Sequence, residues 1–476
     1  MRSAVAIGWM VVAVLGFISG NLLNLSPQDA LAQLGMGLYA VLLTVSLVMA
    51  LLNGMSRHTG GKEGRNGEAR GKRGVGRLPM TLLMLGFAVA HAQQKAGNVL
   101  EAPLDPVFPV RFTAAVEREG YREYRLEFPS ARISPYPANN TVYARWLVPQ
   151  SAPSSERLPA VILLHSLGIR QPTLELALAR ELVQHGIAVL LLTLPYHMER
   201  TPPGSESGDL VLQGDVPLLR ETLIQAVWDV RRAVDWLSRQ PGVDGARVGL
   251  VGISLGAILG AAALSAEPRL HSAVLILGGV DLAHILWHSI LALRTRIRLQ
   301  AQGYTLQRLR DAIADVEPMY RLTPELGEKS FVIGAQFDIV VPTEDTEKLV
   351  RALGHPRVFW LNTGHFGGAL VQRPLFRMVR RYLVARFTGA VPPVESSPLV
   401  PTVRIGAIYG YERDFRLAAG VDLWRLDRRG TLFITAVLTP RGSSLFAGVR
   451  LRLGFSAGVE ITARRTTGAL FWHFVL

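Results

Sequence analysis

The pentapeptide Gly252-Ile253-Ser254-Leu255-Gly256 constrains this 476-residue chain more than any other stretch. It follows the apolar run 247–253 and opens a stretch of helical character, so a strand must turn sharply into a helix there. Glycine two positions to either side of Ser254 lets the turn tighten, since side chains at those places would clash. The serine then sits on a strained backbone with its hydroxyl raised at a helix N-terminus.

The surrounding pattern alternates strand and helix from about residue 106 to 388. Segments 121–128 and 142–148 read as leading strands. Segments 160–165 and 187–194 are short, almost uninterrupted apolar runs, as expected of strands buried on both faces of a parallel sheet. Between them, 173–185 repeats apolar residues at helical spacing, and 217–239 carries a stripe of Trp228, Val230, Ala233 and Trp236. Further strands are expected at 273–277, 331–335 and 357–361. The expectation is an α/β fold with a doubly wound, mostly parallel sheet and right-handed crossovers. Residues 281–323 exceed a plain connection and read as an inserted helical cap. Its apolar face (Leu282, Ile285, Leu286, Trp287, Ile290, Leu291) is either an acyl-binding wall or simply core.

A serine hydroxyl is a poor nucleophile unless a base takes its proton and a carboxylate orients that base. Asp338 follows the apolar run 331–335, and His365 follows 358–361 within Asn362-Thr363-Gly364-His365-Phe366-Gly367-Gly368. Both therefore fall at carboxyl ends of strands, on the edge that carries Ser254, and in the chain order serine, acid, histidine. Singly, Asp338 could be a helix N-cap and His365 a loop histidine. Together the three make a candidate catalytic triad.

On these residues, 110–388 resembles the α/β-hydrolase superfamily, particularly its prolyl-oligopeptidase and dienelactone-hydrolase-like branches. The resemblance implies Ser254, Asp338 and His365 as the triad, and an oxyanion hole from the backbone N–H of Leu255 and one from the turn His165-Ser166-Leu167-Gly168, with Leu167 the expected second donor. The chain departs from the commoner His-Gly there, with Ser166 in the glycine place. His165 and Ser166, and Tyr196 and His197 after the run 187–194, are candidate substrate-binding residues; a polar loop packed over the sheet edge is the plainer reading. His271, His284, His288 and His355 show no metal-ligand spacing, no glycine-rich phosphate loop is present, and a triad that activates water requires no cofactor.

Elsewhere the composition limits the function classes. The chain has no cysteine, which excludes disulfides, thiolate metal sites and a cysteine nucleophile. Its net charge is +14, but only five of its 51 basic residues are lysine and the arginines are scattered through all regions, which argues against a nucleic-acid patch. Charge concentrates only in 57–77. That stretch lies between apolar segments and reads as a cytoplasmic membrane-flanking loop.

Residues 1–55 hold two apolar runs, 4–23 and 31–52, each long enough for a transmembrane helix, so a helical hairpin with both ends in the cytoplasm is expected. After the basic loop (56–77), residues 78–92 form a shorter apolar run ending Ala90-His91-Ala92, with the shape of a signal peptide and its cleavage site. Either this is a third transmembrane pass, or translation begins near Val75 or Met80 and the product is cleaved near Ala92. A buried core helix is the bland alternative. Both of the first two readings put the remainder outside the cytoplasm, membrane-anchored, secreted or periplasmic.

Residues 392–401 read as a Pro/Ser-rich linker. Beyond it, 402–476 switches to period two, with six short strands joined by turns: an antiparallel β-module with one apolar face. Its partner is unspecified. Either it is a small soluble sheet, or its apolar face meets lipid; the second reading runs into the roughly eight strands of single-chain barrels and asks for extra strands or subunits.

The expected function is an exported or membrane-tethered serine hydrolase cleaving a carboxylic ester. Alternatives are a serine peptidase of the prolyl-oligopeptidase type, and an idle hydrolase scaffold or surface-binding protein presenting the β-module.

Overall fold

The computed structural model describes residues 99–476 except 151–156, 396–401, 411–414, 428–429, 452–453, 464 and 476. The expected membrane hairpin, basic loop and signal-like segment lie outside the described residues, as does most of the linker. Among the described residues no helix is long and apolar enough to cross a membrane.

The central sheet has nine strands in the order β1-β2-β3-β5-β4-β6-β7-β8-β9. Three antiparallel strands form one edge: β1 (Arg111–Arg118), β2 (Tyr121–Pro129) and β3 (Thr141–Pro149). The rest run parallel: β4 (Leu158–Leu164), β5 (Ala188–Leu192), β6 (Val243–Ile253), β7 (Ser272–Ile276), β8 (Ser330–Ala335) and β9 (Arg357–Leu361). Every residue of β5, β7 and β8 is buried, because helices cover both faces.

The period of two sorts these apolar runs between two cores. Ala160, Ile162 and Leu164 of β4 face α2 (Val216–Ser238) and α3 (Leu255–Ala266). Val161 and Leu163 face α1 (Thr173–Val183) and α9 (Gln372–Thr388). The chain leaves β4 for β5 on one side and then crosses to β6 on the other. The carboxyl ends of β4 and β6 are therefore neighbours at the point where the winding reverses, the place where such sheets open a crevice.

Between β7 and β8 the chain forms α4 (Leu282–His288), α5 (Leu293–Ala301), α6 (Leu306–Ile313) and α7 (Pro324–Glu328). Leu282, Ile285 and Leu286 join the main core, so this stripe is packing rather than an acyl wall. Asp281 fastens the cap. It accepts from His284 N–H at 3.3 Å, from Arg310 at 2.8 Å and 3.0 Å, and from Lys348 at 2.6 Å. Burial opposes its ionisation, yet the two cations outweigh that and hold the carboxyl at about 2. α8 (Thr343–Ala352) follows β8 and supplies Lys348.

The C-terminal strands are β10 (Val403–Tyr409), β11 (Phe415–Arg425), β12 (Leu432–Thr439), β13 (Gly442–Arg450), β14 (Phe455–Ile461) and β15 (Thr466–Val475). They form a closed antiparallel barrel in chain order, with β15 pairing back to β10. This corrects the expectation that six strands need supplements: the barrel closes alone. Small inward residues permit so narrow a tube. A Cβ on Gly406 would lie 1.9 Å from the Trp472 carbonyl oxygen, and one on Gly458 would lie 2.1 Å from that of Ala447.

The barrel's first end rests on the central domain. The Thr402 hydroxyl donates to the Asn362 carbonyl at 2.8 Å. Phe337 lies beneath the guanidinium groups of Arg404, Arg425 and Arg450, at 5.8, 5.7 and 5.5 Å from its ring centre.

Candidate active site

Ser254 occupies the β6–α3 turn at φ 54° and ψ −115°, a strained conformation for a residue with a side chain. The neighbouring glycines make it attainable. A Cβ on Gly252 would sit 2.2 Å from the Gly256 carbonyl oxygen, and one on Gly256 would sit 2.3 Å from that of Leu164. The turn is pinned to the next strand by Ser254 N–H donating to Ile276 at 2.8 Å.

His365 stands beyond β9 and places Nε2 2.8 Å from Ser254 Oγ. Its Nδ1 lies 2.7 Å from Asp338 Oδ2, beyond β8. Asp338 Oδ1 accepts from the backbone N–H groups of Val340 and Val341 at 2.9 Å each, which fixes the carboxylate. With Nδ1–H donated to a carboxylate, Nε2 is left bare and accepts from the Ser254 hydroxyl. All three side chains are buried among neighbours, with Ser254 and His365 each 8% exposed and Asp338 5%. A hydroxyl, an imidazole and a carboxylate in one hydrogen-bonded line can move a proton from the first to the second while the third holds the resulting charge.

The turn after β4 lies beside Ser254, because β4 and β6 are paired. Glu175, in the first turn of α1, accepts from both the backbone N–H and the hydroxyl of Ser166 at 3.1 Å each. The Ser166 amide is therefore occupied, and Leu167 carries the next amide of the turn. Burial raises the Glu175 carboxyl above its usual range. Leu255 begins α3, so its N–H has no intrahelical partner by geometry.

His165, Tyr196 and His197 do not line an open pocket; each is at most 1% exposed. His165 accepts from Leu194 N–H at 3.0 Å through Nε2 and donates from Nδ1 to the Ser166 carbonyl at 2.8 Å. Burial keeps it neutral, far below the ordinary histidine range. The ring of His197 packs edge-on at 4.9 Å and donates from Nδ1 to Pro195 at 2.8 Å. Its Nε2 is buried without a hydrogen-bond partner among the described residues, and burial pushes the group down to about 4. The physical reason for this inward fold is Arg200. Its guanidinium, wholly buried, pairs with Asp229 at 2.8 Å and donates to the carbonyls of Asn139 and Thr193. That anchor draws the loop after β5 inward, with Tyr196 and Met198 at positive φ.

Sequence reasoning missed Glu175 and the Arg200–Asp229 pair. A glutamate in a helix's first turn looks like any dipole-complementing surface residue, and the Arg–Asp pairing spans two distant segments. It also gave no role to Phe366, half-exposed with its ring 5.4 Å from His365.

The family described as "Alpha/beta hydrolase domain containing 18" matches residues 127–314. The uncharacterized proteins Rv2627c and MT2702, from two strains of Mycobacterium tuberculosis, are each 27% identical over 269 residues, which is 56% of this chain. The match spans 62% of those relatives' own length. Among solved structures, an acetyl xylan esterase from Paenibacillus sp. R4 aligns with a TM-score of 0.46 at 16% identity, covering 63% of this chain and 99% of that one. An acylaminoacyl peptidase from Pyrococcus horikoshii aligns at 0.42 and 12%, covering 61% and 43%. The family match over residues 127–314 and this sheet topology support the α/β-hydrolase superfamily.

Proposed function

We propose that the protein is a serine hydrolase of carboxylic esters. The observation that carries this reading is the hydrogen-bonded line from Ser254 through His365 to Asp338 at the ends of three strands. Ser254 Oγ attacks the ester carbonyl as His365 Nε2 takes its proton. The tetrahedral oxyanion is held by the N–H groups of Leu255 and Leu167. His365 returns the proton to the departing alcohol, leaving an acyl-enzyme. Water, deprotonated by the same imidazole, attacks that ester, and the acid leaves as Ser254 regains its proton. Phe366 beside His365 offers an apolar surface to the acyl group.

The insertion between β7 and β8 consists of short helices, and no propeller-sized domain stands among the described residues to restrict entry, which favours esters over peptides. We place the catalytic domain outside the cytoplasm, tethered through the apolar runs of residues 1–92. Protease accessibility in intact cells tests that placement.

The enzymatic reading is tested by fluorophosphonate labelling of the full chain beside its Ser254→Ala variant, followed by ester and peptide panels. Labelling confined to the wild type and turnover of esters are expected. A folded wild type that takes no label would refute it and leave an idle scaffold; turnover of peptides alone would make the protein a peptidase.

A further inference from the structure

The barrel is built inside out. Along β10 to β15 burial follows a period of two, interrupted at the register shift between Asp422 and Trp424, and the pairing shows which residues share a face. Among the described strand residues, every charged side chain lies on the inward register. Arg404 pairs there with Asp422 at 2.6 Å, and Arg416 pairs with Glu460 at 2.6 Å. His473 and Ser456 join the same interior, 2.9 Å apart. The outward register holds no charge on any of the six strands: Ala407, Leu417, Ala436, Leu445, Val459 and Leu470 represent one strand each. Ala407 and Ala436 are partly exposed, and Leu417, Leu445, Val459 and Leu470 are 38–45% exposed. Phe415 is 66% exposed and Leu423 63%.

A barrel kept in water presents charge on its outer register; this one holds its charged pairs inside, beside a core of Ile408, Phe433, Val437, Phe446 and Phe471, and presents none among the described strand residues. An uncharged, apolar outward register on an even number of antiparallel strands, with the charges inside, is the pattern of a barrel in lipid. The extent of the face decides its occupant. A second copy or a soluble partner covers one sector of a cylinder and leaves the rest in water. This face continues across all six strand pairs, including the closing pair where Ala407 meets Trp472. A medium that encircles the barrel covers such a face.

The ends agree. Tyr409 and Phe415 stack at the far rim with ring centres 4.9 Å apart. Trp472 and Phe474 meet at 4.8 Å near the opposite rim, with Phe455 beside Trp472 at 6.3 Å. Aromatic residues collect at the two interfaces of a bilayer. The height is sufficient on one side. From Phe415 to Trp424, β11 covers about 30 Å of strand at ~3.3 Å per residue, or about 23 Å of height at a ~40° tilt, close to the ~25 Å apolar band of membrane barrels. The rows on β12 and β14, six steps each, reach about 15 Å, so the bilayer must thin against them. The chain also carries the two apolar runs 4–23 and 31–52, each long enough to cross a membrane.

We propose that the C-terminal barrel is embedded in the hydrocarbon of a lipid bilayer, with the central domain seated on the rim where Phe337 meets Arg404, Arg425 and Arg450. The proposal stands apart from the ester-hydrolase reading, since it uses no residue of that site.

The natural chain has no cysteine, so a single introduced one labels uniquely. The full chain is reconstituted in phosphatidylcholine–phosphatidylglycerol vesicles with a polarity-sensitive fluorophore at A407C, L417C, A436C, L445C, V459C or L470C, and at E119C in an exposed turn of the central domain. Doxyl groups on the lipid acyl chains should quench all six barrel positions and spare E119C. Quenching limited to two or three neighbouring strands, as for a barrel lying against a surface or covered by a second copy, would overturn the proposal. So would six positions that remain open to aqueous iodide. Because a label can disturb so small a barrel, the unlabelled chain is measured as well. Doxyl lipid should quench a smaller share of the tryptophan emission in the Trp424→Phe/Trp472→Phe double variant than in the wild type; an unchanged share counts against the barrel's insertion.

Discussion

Acid should unfold the central domain through His197, by an amount the structure sets. The ring is wholly buried and neutral, with its group at about 4 against an ordinary 6.5. Burial is the main cause and the Arg200 charge adds to it, while the hydrogen bond to Pro195 pulls the other way. In the unfolded chain the same ring takes up a proton as the pH drops through 6.5, whereas the folded protein refuses it until about 4. The contribution is therefore complete above about 6.5 and is lost progressively between there and about 4. At ~1.36 kcal/mol per pH unit the loss amounts to about 3 kcal/mol. Asparagine at 197 can keep the donation to the Pro195 carbonyl and cannot titrate. The assay is the urea unfolding free energy of the central domain in wild type and His197→Asn at several pH values between 7.5 and 4. At neutral pH the variant is the less stable, having lost ring packing against His165. As the pH falls that gap should close by about 3 kcal/mol, most of it between 6.5 and 4. A gap that stays constant across the window would show that His197 titrates alike in both states, and the reasoning from its burial would fall.

Three further outcomes follow from the geometry. Glu175→Ala leaves the Ser166 amide without its acceptor and loosens the turn that carries Leu167. The catalytic rate should fall by up to about 100-fold with KM little changed, since one oxyanion donor is worth about that much, while Glu175→Gln keeps most of the rate; steady-state kinetics on the preferred ester decide it. Gly256→Ala drives a methyl into the Leu164 carbonyl and should abolish soluble protein, whereas at Gly260 the methyl meets the side-chain ends of Leu250, Leu275 and Leu164, so Gly260→Ala should cost about 1–3 kcal/mol by thermal melt. Phe337→Ala empties the seam under three guanidinium groups and should weaken barrel docking by about 3 kcal/mol, seen in calorimetry as an earlier separate transition for the barrel.

The central sheet was legible because strands buried on both faces must be short unbroken apolar runs, and residues 160–165 and 187–194 have few other ways to be read. The positions of Ser254, Asp338 and His365 were legible for a related reason: each follows such a run, and parallel strands bring their carboxyl ends to one edge. The supports of the site were not. Glu175 becomes a buried acceptor only when β4 and α1 fold together, and Arg200 finds Asp229 and Asn139 across segments that nothing local connects. That same anchor turned Tyr196 and His197 away from the pocket that their place after a strand suggested. In the barrel, period two was plain, but closure was not, because closure depends on how closely backbones approach at Gly406 and Gly458 rather than on any alternation of polarity.

The alternation in the barrel raises a question of sign that periodicity alone leaves open. A period of two says that the faces differ and not which one turns inward; the interior decides that by what it can satisfy. Arg404 is wholly buried, yet its guanidinium has Asp422 on two nitrogens, at 2.6 and 2.7 Å, and the face of Phe433 at 3.7 Å. Asp422 takes a further hydrogen bond from Thr435 at 2.5 Å. Leaving one such charge unpaired would cost several kcal/mol, so these residues must be inside together or outside together. Placed outside, they would put Phe433, Phe446 and Phe471, which share their register, into solvent as well. Placed inside, they fill the tube, reach Phe337 at its base, and leave Leu417, Leu445 and Val459 facing out. Polar pairing within the tube thus fixes an apolar exterior on a module whose base sits one residue from Asp338.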